Sequence, residues 1–477
     1  MFHYPLETLP GRSLYEKLTD CIRHDIRTGA LPAGTHLPSK RRAAADLGVS
    51  VVTVKSAYEQ LVAEGYITSE ERRGYYVARL DPPLQGFATD ASPRAAVPHR
   101  AEEPLEDNFT IDLLRSTLSP DLFPLSVWSR LSNRVYRDEG ARLLHRVPYN
   151  GLACLREAIA AILYETRGIR TTPDCIVVSA GNESLYASLL CFLGRDRVWG
   201  VEDPGHRLIS RLYATHGAEV RHLPLDTAGV RPDALEASDA DILHISPAHH
   251  FPTGVVTPIT RRQELLAWAA KGGHDGRPRY IIEDDYDSEF RLSGRPIPSL
   301  QQLDRTGCVI YINTFSKTIA PALRIAYAVL PPDLAAAYRE RLGFLACPVT
   351  AAEQLILSAF IREGYFERHL SRMRTRYRAL RDRLLAAIAA SPRALRYRVA
   401  EADGGLHFLL HIDIPSTDAP LSDQALTAAA EAAGLRVLPL SAYAVHAPTP
   451  PHTLVISYAA LPEDRIEELV RRLDTVG

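Results

Sequence analysis

The sequence predicts an α/β protein in two parts, a small helical head ending in a strand hairpin and a large body built on a mostly parallel sheet flanked by helices. Three observations carry this expectation. Between residues 175 and 312 short apolar runs alternate with helical stretches, the pattern of strand, crossover helix and next strand. Residues 14–63 carry apolar side chains at helical spacing, interrupted by turn residues. Between these segments, residues 81–104 are rich in Pro, Ala and charge with no sustained period, which reads as a tether. A chain of 477 residues with 46% hydrophobic and 23% charged content has apolar material for more than one core.

In the head, Leu14, Leu18, Ile22 and Ile26 recur every four residues and predict a helix over Ser13–Thr28, ended by Gly29. Ser39 is placed to cap a short second helix through Leu47, and Gly48-Val49-Ser50 turns into a third helix capped by Ser50. On that third helix Val54, Tyr58, Leu61 and Val62 are expected on the core face. Val52, Thr53, Lys55, Ser56 and Glu59 then point outward, as a recognition helix presents its first turn to a major groove. Tyr66–Ser69 and Gly74–Val77 alternate in polarity around Glu70-Glu71-Arg72-Arg73, which predicts a hairpin with a basic tip.

Charge adds little to that picture. The chain is at −2 overall, with 11 Lys/Arg against 9 Asp/Glu over residues 1–79, so a uniformly basic nucleic-acid coat is excluded and DNA binding rests on the motif. The six cysteines are scattered, with no short-spaced pair of the zinc or redox type, and read as reduced, mostly buried thiols with no metal site expected. The first residues lack a basic start followed by an apolar core, and no apolar run reaches the length of a membrane span, so a cytoplasmic protein is expected.

In the body, runs at 175–178, 197–201, 242–245, 280–282 and 308–312 predict the strands. Functional residues on such sheets follow strand ends. Ile281-Ile282 leads into Glu283-Asp284-Asp285-Tyr286, and Tyr311-Ile312 leads to Thr314-Phe315-Ser316-Lys317. Acid, phenol and lysine therefore converge on one sheet edge. A lysine that forms a Schiff base needs a lowered pKa, and an electron-withdrawing pyridine ring needs a carboxylate opposite its nitrogen.

Two resemblances follow from these motifs. Leu37-Pro38-Ser39-Lys40-Arg41, Val49-Ser50-x-x-Thr53-Val54, Ala57-Tyr58-x-x-Leu61, Glu64-Gly65-Tyr66 and Arg72-Arg73-Gly74 resemble the winged helix-turn-helix of GntR-type regulators. That resemblance implies that Arg41, Ser50, Thr53 and Lys55 meet phosphates or base edges and that Arg73 enters the minor groove. Val51 stands where the family often has Arg, so the operator preference is expected to differ.

The body motifs, with Ser246-Pro247-x-His249-x-Phe251-Pro252-Thr253-Gly254 and Glu202-Asp203-Pro204-Gly205, resemble fold-type I aminotransferases dependent on pyridoxal phosphate. With the head attached, and on Glu283-Asp284-Asp285-Tyr286-Asp287-Ser288-Glu289-Phe290, the chain resembles the MocR/GabR regulators over nearly its whole length. The resemblance implies a winged head at 12–79, a linker at 80–107 and a fold-type I body at 108–477 with a smaller C-terminal α+β subdomain. It implies that Lys317 carries pyridoxal 5'-phosphate as a Schiff base, Asp284 pairs with the ring nitrogen and Tyr286 with the ring oxygen. Ser316 and Arg324 would hold the phosphate, and the body would form a homodimer presenting two heads to double-stranded DNA.

Several positions depart from that family. His206 replaces the stacking Tyr, and His250 replaces a Gln near the ring oxygen. Ser179-Ala180-Gly181-Asn182-Glu183 stands where the family supplies Thr-Gln to the phosphate, leaving the amides of Gly181 and Asn182 as donors and placing the Glu183 carboxylate where it repels the phosphate unless it turns away or takes a proton. Ala460 and Leu208 replace two carboxylate-binding arginines, for which Arg207 and Arg436 are the candidate substitutes. The leading expectation is a transcriptional regulator that senses a small amine effector or the cofactor itself, with at most weak transaminase activity. The alternatives are a working aminotransferase with an accessory head, and a regulator whose body has lost the cofactor.

Overall fold

The computed structural model describes Tyr4 and residues 13–71, 73–79, 109–114, 119–273, 275–292, 297–414 and 422–476. The expected linker, 80–107, and Arg72 lie outside the described residues. The chain divides into two compact units, Met1–Leu105 and Glu106–Gly477.

In the first unit, helix α1 (Leu14–Thr28) begins at a capping box, in which Ser13 and Glu16 satisfy each other's open groups, and ends at Gly29 with φ 82°. Helix α2 (Lys40–Leu47) is capped by the Ser39 hydroxyl accepting from the Arg42 amide. Helix α3 (Val51–Ala63) is capped by Ser50, which accepts from the Thr53 amide at 3.0 Å. Strand β1 (His36–Leu37), not foreseen in the sequence, pairs with β3 (Gly74–Val77), which pairs in turn with β2 (Ile67–Glu70). Leu18, Ile22, Val54, Tyr58 and Leu61 close the core. Two expectations are corrected: Leu14 is 44% exposed because it opens its helix, and Val62 is 36% exposed because the α3 core stripe runs through Val54, Ala57, Tyr58 and Leu61.

In the second unit, β4 (Ile111–Asp112) is followed by helices α4 (Leu125–Asp138) and α5 (Ala153–Arg167). Then come β5 (Ile176–Ser179), α6 (Gly181–Leu193), β6 (Val198–Asp203), α7 (Arg207–Thr215), β7 (Glu219–Asp226), β8 (Gly229–Val230), β9 (Ile242–Ile245), β10 (Tyr280–Asp284), β11 (Val309–Thr314) and β12 (Ala326–Val329). These eight strands form one sheet in the order β5-β12-β11-β10-β9-β6-β7-β8. Its centre, β11-β10-β9-β6-β7, is parallel, while β12 runs antiparallel to both neighbours and β8 antiparallel to β7.

Strand alternation sends Val178 and Tyr311 to a core against α4, α5 and the later helix Ala351–Arg362. Val177, Ile310 and Ile312 go to the opposite core against α6. Helices therefore cover both faces, as expected. A smaller antiparallel sheet of the strands Tyr397–Ala400, His407–Ile412, Thr453–Ser457 and Leu438–Pro439, in that order, packs with helix Tyr365–Ala389 and the last helix, Ile466–Leu473, as the C-terminal α+β subdomain. Of the six free thiols, Cys175, Cys308 and Cys347 are buried, whereas Cys191 is exposed. Among the described residues no helix is long and apolar enough to cross a membrane.

Candidate functional site

The parallel strands β10 and β11 deliver Asp284, Tyr286, Ser316 and Lys317 to one cavity of about 600 Å³, whose lining includes His206, Asn182 and Arg324. Three acids in a row enter this region, Glu283 and Asp284 at the end of β10 and Asp285 just after it, and the alternation of side chains gives them different jobs. Glu283 accepts from the amides of Leu300 and Gln301 at 2.7 and 2.8 Å and fixes the start of the helical turn Leu300–Leu303. Asp285 meets the Arg167 guanidinium at 2.9 Å and accepts from the Tyr311 hydroxyl at 2.6 Å, both deep in the interior. Asp284, between them, lines the cavity.

Asp284 is itself buried and oriented. The Tyr186 hydroxyl donates to its Oδ2 at 2.5 Å, and His244 Nε2 lies 3.4 Å from the same oxygen. Asn182 Nδ2 donates in turn to the Tyr186 oxygen at 3.0 Å, and Tyr213 contacts His244 Nδ1 at 2.7 Å. Oδ1 of Asp284 has no hydrogen-bond partner among the described residues. A buried carboxylate held by one oxygen, with the other free, suits a protonated ring nitrogen. Tyr186, Tyr213 and His244 escaped the sequence reading; the spacing of Asn182 and Tyr186, one helical turn apart, was the only local signal.

Lys317 is partly buried, and loss of solvent around its amine pushes it below the ordinary lysine range, while the nearby Asp287 carboxylate opposes that shift. Asp287 belongs to a further buried group that the sequence did not single out. His249 Nδ1 lies 3.0 Å from Asp287 and 3.3 Å from the Tyr286 hydroxyl, and the His249 and His407 rings are 4.7 Å apart. Gly405, at φ 68°, packs so closely on the His249 ring that a Cβ there would overlap it.

At the other end of the cavity, Ser316 accepts from the Thr314 hydroxyl at 2.9 Å. Gly181 opens α6 at φ 80° and lies under the Arg324 guanidinium, which a Cβ would overlap. Arg324 is ion-paired with Glu183, so the carboxylate expected to face a phosphate turns to the guanidinium expected to bind it.

His206 lines the cavity beside Phe251, with ring centroids 5.6 Å apart. His250 departs from expectation and does not line the cavity: Nδ1 meets the Thr253 hydroxyl at 2.6 Å and Nε2 lies 3.4 Å from Glu202. Burial pushes His250 down to about 3 and Glu202 up to about 8, so at pH 7 His250 is neutral and Glu202 is mostly protonated. The His250 ring thus turns toward a mostly protonated carboxyl and away from the cavity. Of the substitute arginines, Arg207 lines the cavity and donates to the Ala442 carbonyl at 3.3 Å, whereas Arg436 pairs with Asp112 at 3.2 Å on β4. Ser457 and Ala459 line the wall beside Ala460.

In the head, Arg41, Ser50 and Lys55 are exposed and Thr53 is partly so. Ser50 and Thr53 contact each other through their hydroxyls at 2.8 Å. Among the described residues Lys55 and Arg73 pair with exposed acids, Glu59 at 3.7 Å and Glu70 at 3.5 Å.

Comparisons with known proteins place both parts of the chain in known families. Residues 121–473 match aminotransferase class I and II, and residues 14–77 match the bacterial regulatory proteins of the gntR family. An uncharacterized HTH-type transcriptional regulator of Bacillus subtilis, YhdI, is 35% identical over 97% of this chain and 95% of its own length. The probable rhizopine catabolism regulatory protein MocR of Rhizobium meliloti is 32% identical over 97% and 92%. The pyridoxine biosynthesis regulator PdxR of Corynebacterium glutamicum is 32% identical over 90% and 89%. Among solved structures, kynurenine aminotransferase of Pyrococcus horikoshii superposes with TM-score 0.65 at 23% identity, covering 77% of this chain and 90% of that one.

Proposed function

Because the chain belongs to the aminotransferase class I and II family and carries a gntR-type head before that domain, we propose that it is a DNA-binding transcriptional regulator whose body binds pyridoxal 5'-phosphate through Lys317 and senses a small amine or the cofactor itself. We assign the head to residues 12–79, the linker to 80–107 and the sensing body to 108–477, with the body as the homodimerising part. The observation that carries the cofactor reading is the Asp284 oxygen that has no hydrogen-bond partner among the described residues, in the cavity that Lys317 also lines.

When bound, the cofactor supplies an aldehyde that bonds to a lysine amine and a pyridine ring that withdraws electrons. The chain's own residues match those needs. Burial keeps a larger share of Lys317 as free amine, the nucleophilic form. Tyr186 and His244 fix the Asp284 carboxylate so that Oδ1 remains for the ring nitrogen. Tyr286 is available to the ring oxygen, His206 to the ring face, and Ser316, Arg324 and the amides of Gly181 and Asn182 to the phosphate. Occupancy changes charge and contacts at the sheet edge, and the regulator's output is a biased affinity of the paired heads for their operator.

An absorbance titration of the purified chain with pyridoxal phosphate tests this, together with operator binding measured in parallel. A visible band that is lost in Lys317→Ala, with a cofactor-dependent change in operator affinity lost in the same variant, is the expected result. No band in the wild-type protein would remove the reading.

A further inference from the structure

We propose that Glu183 sets the phosphate selectivity of the cavity. Its carboxylate occupies the anion seat at the start of α6, so a phosphorylated ligand gains Arg324 only by taking it from Glu183, and the site discriminates weakly between pyridoxal phosphate and pyridoxal. This rests on the cofactor reading above.

The seat has the parts of a phosphate site. Helix α6 opens at Gly181 after Ala180, whose side chain offers no cap, and the open amides of such a helix start, with the helix dipole, favour an anion. Gly181 lacks the Cβ that would collide with the Arg324 guanidinium, so the arginine can lie across the helix start. Arg324 itself holds a left-handed backbone conformation, φ 51°, an unusual geometry for a residue with a Cβ.

Glu183 engages both donor types. Its carboxylate accepts from its own backbone amide and from Arg324. Burial raises its pKa, and these donors outweigh burial and hold it below the usual glutamate range, so it is an anion at neutral pH. One carboxylate thereby does for the guanidinium and the helix start what a phosphate would do. The pair is also reachable: the two side chains are 46% and 43% exposed, and ion pairs in contact with water are weakly held. A phosphate can therefore displace Glu183, but it then sits beside a carboxylate that repels it. The ring end of the cavity, Asp284, Tyr286 and Lys317, serves phosphorylated and unphosphorylated aldehydes alike. Cofactor binding is then readily reversible, as suits a chain that reports concentration.

The test is an equilibrium titration of the full chain with pyridoxal phosphate and, separately, with pyridoxal, reading the cofactor absorbance, for wild type, Glu183→Gln and Glu183→Thr. Removing the carboxylate is expected to tighten pyridoxal phosphate by about tenfold or more in both variants, the scale of one charge-assisted contact, while pyridoxal moves by less than about twofold. Unchanged phosphate-ligand affinity in both variants, or equal tightening of both aldehydes, overturns the proposal. If neither aldehyde gives a band in any of the proteins, the cofactor reading fails and takes this inference with it, an outcome distinct from bands with an unchanged ratio.

Discussion

Tyr186 donates to Oδ2 of Asp284 at 2.5 Å, and this bond joins the first helix after β5 to the end of β10 across 98 residues of sequence. It fixes which carboxylate oxygen is left over. A carboxylate aimed by a buried phenol does not have to be reoriented when a ring nitrogen arrives, and such preorganisation lowers the cost of binding.

Tyr186→Phe is therefore expected to weaken pyridoxal phosphate binding by roughly tenfold, the worth of one hydrogen bond to a charged group, without unfolding the body. Absorbance titration beside a thermal melt checks both halves. Equal affinity in the variant would mean that Asp284 needs no orienting partner.

The buried pair Arg167–Asp285, with side chains 5% and 1% exposed, makes a different prediction. Asp285→Ala leaves a guanidinium buried without its charge partner and is expected to cost about 3 kcal/mol or more in a urea unfolding experiment. A loss under about 1 kcal/mol would show that water reaches Arg167.

Three buried carboxyls give a pH dependence. Burial raises Glu202 to about 8 and Glu283 and Glu289 to about 7, from the ordinary glutamate value of 4.5. Each holds its proton more tightly in the folded than in the unfolded chain, so its stabilising contribution is full below about pH 4.5 and is lost as the pH rises through 7 to 8. From these groups the melting temperature of the body should fall between about pH 6 and pH 9, and Glu202→Gln should flatten that fall. A Glu202→Gln protein with the wild-type slope over this range would contradict the assignment.

For the head, Lys55→Ala and Arg73→Ala are each expected to weaken operator binding and to reduce the salt slope by about one, because each exposed cation would release a counterion at a phosphate. Titrations at several salt concentrations measure it; unchanged slopes would move the DNA contact to another face.

Amino-acid transamination is expected to be very slow, because Ala460 and Leu208 leave a substrate carboxylate without a bidentate guanidinium at those positions. Assay of the purified, cofactor-loaded chain with an amino donor and a 2-oxo acid decides this. Turnover in the ordinary enzyme range of roughly 1 per second or faster would sink the expectation.

The head and the sheet were legible because their signals are local. Ser39 and Ser50 cap the helices they precede, Gly29 ends its helix, and the apolar runs coincide with the central strands within a residue or two. The two-residue strands at His36 and Ile111 were not, since each exists only by pairing with a distant partner.

The sequence by itself determined the order of the parts, the strand ends that deliver Asp284, Tyr286 and Lys317 to one edge, and the anomaly at Glu183. Tertiary structure decided what each of these touches. Among Glu283, Asp284 and Asp285, three adjacent acids, only the alternation of side chains at the end of β10 and the neighbours on each side separate the cavity group from the two structural ones. Glu183 meets Arg324 across 141 residues, and His249 meets Asp287 and His407 in the same non-local way. Helix caps and strand periods act between near neighbours in the chain. Carboxylates, guanidiniums and imidazoles choose partners by proximity in space, where burial makes each unsatisfied group costly.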